Sequence, residues 1–190
     1  MKYITEVKKL TDFKWMNLFS TKSFRKDGSV KEWIFASRKE SPIQNKDPDA
    51  VVIVPIVETP GGNKLVVIKE YREPIADYEW GFPAGLIDKG MDVESTIKKE
   101  LKEETGLDLV EIVSISSPVI SSAGLSDESV VMAIVKAKGE LSQEFLSKSE
   151  DIEPFILSVT EVHNILLSTE KIGAKSWGLF YHYSKLGRIE

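Results

Sequence analysis

The chain has 190 residues, 42% hydrophobic content and a formal net charge of -5 at pH 7, which suits one domain with a small appendage and a buried core. The acidic balance, with scattered lysines and no basic tract or RNA-binding motif, argues against a nucleic-acid surface. Cysteine is absent, so thiol and disulfide chemistry is excluded and a cytoplasmic address is compatible, while MKYITEVKKL lacks a signal peptide's apolar run and nothing reaches a membrane span.

Residues 1 to about 40 read as strands with one clear hairpin, turned by Lys26-Asp27-Gly28-Ser29 between SFR and VKEWIFASR. Neither face of the second strand is polar throughout. A ribbon this small cannot bury itself, so it is expected to lie on the main domain or on a second subunit. Trp15, Trp33 and Phe35 have two readings: packing against one of those, or stacking on a purine, across a dimer in one version. The polar, proline-containing SPIQNKDPDA supplies the boundary. The chain therefore divides into a β extension over residues 1–45 and a main domain over 46–190.

VVIVPIVE and KLVVIKEYR, separated by TPGGN, read as a hairpin whose strands are buried on both faces. In the following YREPIADYEWGFPAG, Arg72 is either a surface salt-bridge former or a planar fork for a diphosphate. Trp80 is a core filler or one wall of a cleft. The stretch Gly85–Leu107 then runs from a glycine-rich loop into a helix, with Asp92 as N-cap and Gly106 as the stop. Val93, Ile97, Glu100 and Glu104 share one stripe of that helix, with Glu103 at its edge. Lys98, Lys99 and Lys102 are expected to point elsewhere and leave the carboxylates unneutralised. A seam that ends in carboxylates at the margin of a core calls for a cation, and hard divalent ions such as Mg²⁺ take such oxygen ligands together with substrate phosphates.

LVEIVSISSPVI alternates as a strand, and SSAGLSDES is a loop before VVMAIVKAKG. SQEFLSKSEDIE reads as a short helix or turn ending in an acidic cluster, and PFILSV as a strand. Thr160 is the expected cap of EVHNILLSTEK, and AKSWGLFYHYSKLG a closing helix with Trp177, Phe180 and Tyr181 on its apolar side. His163 and His182 are isolated and read as ordinary helix residues.

The central stretch resembles the Nudix hydrolases, whose pattern is Gly, five residues, Glu, seven residues, Arg-Glu, an aliphatic, one residue, Glu-Glu, one residue, Gly, an aliphatic. Gly85, Glu100, Leu101, Glu103, Glu104, Gly106 and Leu107 match it in register; Met91 stands where the pattern has Glu and Lys99 where it has Arg. Tyr71-Arg72-Glu73-Pro74 and Phe82-Pro83-Ala84-Gly85-Leu86-Ile87-Asp88 are similar to segments of the ADP-ribose pyrophosphatase branch, which often has Glu where this chain has Gly81. The resemblance implies an α/β fold, the Nudix fold: a mixed β-sheet sandwiched between helices, here with an N-terminal β-ribbon. It implies Mg²⁺, with Mn²⁺ as a substitute, held by Glu100, Glu104 and the Ala84 carbonyl, with Glu103 completing the site. The loop SSAGLSDES is similar to that branch's Pro-Gly-x-Ser-x-Glu loop, with Ala123 for Pro, making Glu128 a substrate or metal contact. By position Glu150, and next Asp151, match the further metal ligand or general base.

The activity so implied is hydrolysis of a nucleoside diphosphate linked to another moiety, with ADP-ribose going to AMP and ribose 5-phosphate as the leading case. Arg72, Trp33 and Trp80 join Glu128 as substrate contacts, and a homodimer is implied. In the family the missing Glu and Arg brace the metal-binding carboxylates, and Lys offers a point charge where Arg forks. A weakened site therefore stands beside full activity, and Met91→Glu is expected to raise a weakened rate. The alternative is a Nudix domain that binds ADP-ribose or a related nucleotide as a sensor or interaction module.

Overall fold

The computed structural model describes residues 3–189. The chain divides into two compact units, one formed by the segment through Asp49 together with Pro118–Val130, the other by Ala50–Ser117 together with the segment from Val131 onward. Among the described residues no helix is long and apolar enough to cross a membrane.

The first unit carries an antiparallel sheet in the order β1 (Ile4–Lys9), β2 (Asn17–Phe24), β3 (Val30–Ser37). Its β2–β3 turn falls where the sequence places it. Asp27 Oδ1 accepts the Ser29 N–H at 2.9 Å, and Gly28 takes φ +81°, a conformation that suits glycine. Phe19 and Phe35 are paired in register and stack at 5.9 Å, forming the buried side. Val30 and Ile34, on the opposite face, stay exposed, as expected of a ribbon too small to bury both faces. The segment Pro118–Val130 adds the short β9 (Val119–Ile120), which pairs with Ser129 and Val130, and a bridge from Ser126 to Ala36.

The second unit is built on β4 (Ala50–Thr59) and β5 (Gly62–Arg72), where Val51, Val52, Ile53, Val54 and Leu65, Val66, Val67, Ile68 are all buried. Strands covered on both faces read as continuous apolar runs rather than alternation. Around them lie β6 (Asp77–Gly81), β7 (Ala84–Leu86), β8 (Asp108–Ile115), β10 (Ser129–Lys138, the part from Val131), β11 (Ile152–Leu157) and β12 (Lys171–Ile172). The main strand order is β12-β6-β5-β4-β10-β8, with β11 paired to β5 and β7 to β4. Because β12 runs parallel to β6 while its neighbours are antiparallel, the sheet is mixed. The helices α1 (Val93–Thr105), α2 (Val159–Leu167) and α3 (Ala174–Leu186) complete the α/β fold. Ile97 and Leu101 of α1 join Val51, Ile53, Val66, Ala133 and Val135 in one core, where trimming either to alanine is expected to cost about 2–5 kcal/mol.

Two local readings of the sequence are corrected, and one pair of alternatives is decided. The cap of α2 is Ser158, not Thr160: its hydroxyl accepts the Glu161 N–H and the Glu161 side chain accepts from the Ser158 backbone, a reciprocal box that Thr160, inside the first turn, cannot make. Of the two readings of residues 142–153, helix or turn, the turn is what forms over 142–151. On α3 the buried residues are Ser176, Phe180 and Tyr183, while Trp177 and Tyr181 stack on each other at 5.4 Å in solvent. Helical spacing admitted either stripe, and the contact of Phe180 with Phe82 at 5.3 Å selects the buried one.

Candidate active site

Helix α1 begins and ends where its residue types direct. Asp92 Oδ1 accepts the Ser95 N–H at 2.7 Å, satisfying one of the free donors of the first turn. Gly106 closes the helix at φ +78°, over Ser142, whose backbone N lies 2.6 Å from where a Cβ would be. Between these ends Thr96, Ile97, Glu100, Leu101, Glu104 and Thr105 are buried. The seam therefore carries two acids into the interior, with Glu100 8% and Glu104 4% exposed. Glu103, at its edge, is half-exposed.

The loop before the helix is shaped to these carboxylates. A Cβ on Gly85 would lie 2.1 Å from the Glu100 carboxyl carbon, so no other residue fits without moving the acid. The neighbouring Ala84 N–H donates to Glu104 Oε2 at 3.1 Å. This joins β7 to the far end of the helix.

Lys99 corrects the expectation that the lysines leave the acids unpaired. Its Nζ donates to Glu100 Oε1 at 3.1 Å and lies 3.7 Å from Glu103 and 3.8 Å from Asp88. One ammonium thus faces three carboxylates. Asp88 is near because its carbonyl accepts the Met91 N–H at 2.9 Å, folding the loop back toward the helix. Met91 itself brings no charge.

Electrostatically the site is strained toward protonation. Burial pushes the Glu104 carboxyl well up from its ordinary value, against the Ala84 N–H that lowers it and together with the charges of Glu70, Glu100 and Glu150 that raise it further. Burial also raises Glu100, with Lys99 opposing and Glu103 and Glu150 adding. Glu70 is raised by burial too, partly offset by Arg72. Desolvated like charges of this kind favour either a proton or a cation.

Glu70 was missed by sequence reasoning. The alternation of β5 carried the signal, because Glu70 shares a face with Ile68 and Val66, both fully buried. Arg72 pairs with Glu70 at 2.6 Å and with Glu79 at 3.6 Å, so its guanidinium bridges two acids on adjacent strands. Trp80 takes the core-filling part of its two readings. It is 7% exposed, donates to Glu170 Oε2 at 3.0 Å and packs on Phe155 at 5.0 Å; with its ring and N–H so engaged, it does not wall a cleft. Asp151 accepts the Tyr78 hydroxyl at 2.6 Å. Glu150 is exposed on the same turn, and its charge reaches Glu70, Glu100 and Glu104.

In the first unit, Glu128 lies 3.8 Å from Arg38. Trp33 is half-exposed, with Lys31 Nζ 3.9 Å from its ring centre.

Among the described residues, no three acids or imidazoles converge closely enough to form a ready-made cation site. The donor set nevertheless fits a hard divalent ion: two buried carboxylates raised by desolvation, with the backbone of Ala84 beside them.

The NUDIX domain family matches residues 46–177. The chain belongs to the NUDIX family. An uncharacterised Nudix hydrolase of Schizosaccharomyces pombe is 29% identical over 167 residues, covering 85% of this chain and 80% of that protein. An ADP-ribose pyrophosphatase of Saccharomyces cerevisiae is 29% identical over 161 residues, covering 83% of this chain and 68% of that protein. The crystal structure of an ADP compounds hydrolase superposes with a TM-score of 0.73 at 20% identity, covering 98% of this chain and 96% of the other, which bears on the fold. Nudix hydrolases generally use divalent metal ions, and in this Nudix chain the motif helix, its glycine and its two buried acids are in place.

Proposed function

We propose that this Nudix hydrolase cleaves a nucleoside diphosphate linked to another moiety, with ADP-ribose giving AMP and ribose 5-phosphate as the leading substrate. The observation that carries this reading is the pair Glu100 and Glu104, both buried and both raised by desolvation, against the Gly85 loop. The name of the Saccharomyces cerevisiae relative supports the substrate class.

Mg²⁺, or Mn²⁺ in its place, is assigned to Glu100, Glu104 and the Ala84 carbonyl. Bound there, a divalent cation supplies Lewis acidity and neutralises diphosphate charge. The remaining work falls to side chains. Lys99 holds Glu100 and Glu103 in place by charge. Glu150, exposed and with its carboxylate not committed to Tyr78 as that of Asp151 is, takes a proton from the attacking water as general base. Arg72, already positioned between Glu70 and Glu79, turns a guanidinium N–H to the departing phosphate. Trp33 and Glu128 are assigned to the nucleoside, and Trp80 is withdrawn from the substrate set. We assign the extension over residues 1–45 to a homodimer contact, supported by the exposed apolar face of Val30 and Ile34.

A second reading, a Nudix module that binds the nucleotide without turnover, is favoured by one contact. Lys99 Nζ occupies Glu100 Oε1 at 3.1 Å, an oxygen that a cation would use.

Product chromatography after incubation with Mg²⁺ and ADP-ribose, nucleotide sugars, dinucleotides or nucleoside triphosphates decides between them, with Glu104→Gln as control. AMP and ribose 5-phosphate are expected from the wild type and at least about a hundredfold less from the variant. Binding of ADP-ribose in calorimetry without products would select the module.

A further inference from the structure

Arg72 stands among acids that strand pairing brings together. Glu70 of β5 and Glu79 of β6 are directly opposite in the antiparallel register, and like charges so placed destabilise a sheet. Arg72, two residues beyond Glu70 and so on the same face, sets its guanidinium between them: Nη1 lies 2.6 Å from Glu70 Oε1 and Nε 3.6 Å from Glu79 Oε2. The two carboxylates hold the planar group at two points, and its five N–H donors leave others for a phosphate.

Where Glu79 puts its carboxylate is decided on another element. Its strand pairs with β12, Lys171 against Glu79, and β12 leads into Gly173, the residue before α3. The Gly173 N–H donates to the Trp80 carbonyl at 3.0 Å, which fixes the glycine beside that strand. A Cβ at Gly173 would lie 2.9 Å from Glu79 Oε1 and 3.4 Å from its carboxyl carbon. The backbone there, φ -57° and ψ 137°, suits any residue. Backbone conformation therefore does not require glycine at this position; the Glu79 carboxylate does. Oε1 fills the space that the missing side chain leaves, while Oε2 of the same group faces Arg72.

We propose that Glu79 is a positioning residue that holds Arg72 toward the diphosphate, and that the absence of a side chain at Gly173 is what seats it. The inference rests on the reading of Arg72 as a phosphate contact given above; the part played by Glu79 and Gly173 does not follow from that reading. A guanidinium held at two points loses little further freedom when it meets the substrate, and a misplacement near 1 Å is costly in a site that works by positioning.

The test is steady-state kinetics with Mg²⁺ and ADP-ribose on Gly173→Ala, Glu79→Ala and the two substitutions together. Beside it, nuclear magnetic resonance reads the Arg72 Nε–H signal of each ligand-free chain, identified by its loss in Arg72→Lys. Either single substitution is expected to lower kcat about tenfold with KM nearly unchanged, as for a group that acts on the departing phosphate, and to shift the Arg72 signal. The double variant should match Glu79→Ala, because the new methyl then has no carboxylate to displace. Melting temperatures should stay within about 4 °C of the wild type, since only a partly exposed ion pair is disturbed. A Gly173→Ala chain that keeps the wild-type kcat overturns the proposal, as does a double variant slower than Glu79→Ala alone, or a signal unmoved in both single variants. If the wild type releases no AMP, or Arg72→Lys keeps the full rate, the reading of Arg72 as a phosphate contact is removed. A signal that moves in both single variants then still establishes Glu79 as the group that positions Arg72.

Discussion

Glu100 and Glu104 are buried in company, with Lys99 Nζ and the Ala84 N–H on their oxygens, the charge of Glu150 raising both and that of Glu70 raising Glu104. Asp127 Oδ2 is buried with no hydrogen-bond partner among the described residues. A cluster of acids gains most from a multivalent cation, because each added negative charge raises the cost of the next. A single orphaned acceptor gains most from one neutral donor, which satisfies it without bringing a second charge into the interior. The same chemical group thus meets different surroundings in the two units according to its neighbours.

The sharpest way to break the comparison is Gly85→Ala, whose new Cβ would meet the Glu100 carboxyl at 2.1 Å. Turnover of ADP-ribose is expected to fall about a hundredfold, the usual penalty for a misplacement near 1 Å, while the first unit, which holds Asp127, keeps its fold. An undiminished rate in a chain with native circular dichroism would show that the Gly85 loop does not position Glu100.

A smaller effect concerns pH and metal. Burial raises the carboxyls of Glu104, Glu100 and Glu70 above the ordinary 4.5, so between the unfolded and folded values the native chain binds more protons than the unfolded one. Stability is then expected to fall as pH rises through that window, and to recover when Mg²⁺ is added at neutral pH. In thermal melts with chelator the loss should amount to a few degrees, given about 2–4 °C per kcal/mol for a chain of this size. Glu104→Gln should flatten the profile, and Asp127→Asn should leave the Mg²⁺ response as it is; an unchanged profile in the first variant would count against the cluster.

The smallest effect tests how Lys99 is braced. Asp88 lies 3.8 Å from its Nζ and is largely exposed, a geometry worth at most about 1 kcal/mol. Asp88→Asn should therefore lower kcat/KM about threefold. Met91→Glu should raise the wild-type rate modestly and restore the Asp88→Asn background. A double variant slower than Asp88→Asn alone would show that the carboxylate is not interchangeable between the two positions.

Much of the second unit was legible beforehand. The caps Asp92 and Gly106, the seam of Ile97, Glu100 and Glu104, and the doubly buried hairpin around Val51–Val54 and Leu65–Ile68 follow from local residue preferences and from periodicities of 3.6 and 2. The cap of α2 and the buried stripe of α3 were misread because two local candidates competed in each. Only the Glu161 box and the packing of Phe180 on Phe82 chose between them.

The sequence by itself determined the family, the motif helix and the residues able to meet a hard cation, because these depend on spacing along one continuous segment. Only the tertiary structure decided that Glu70 and Glu150 add their charges to the cluster, that Lys99 turns to Glu100, and that Asp127 Oδ2 is left without a donor. Periodicity specifies which face of an element is buried; strand pairing and loop return specify what lies against that face, and those contacts join residues far apart in the chain.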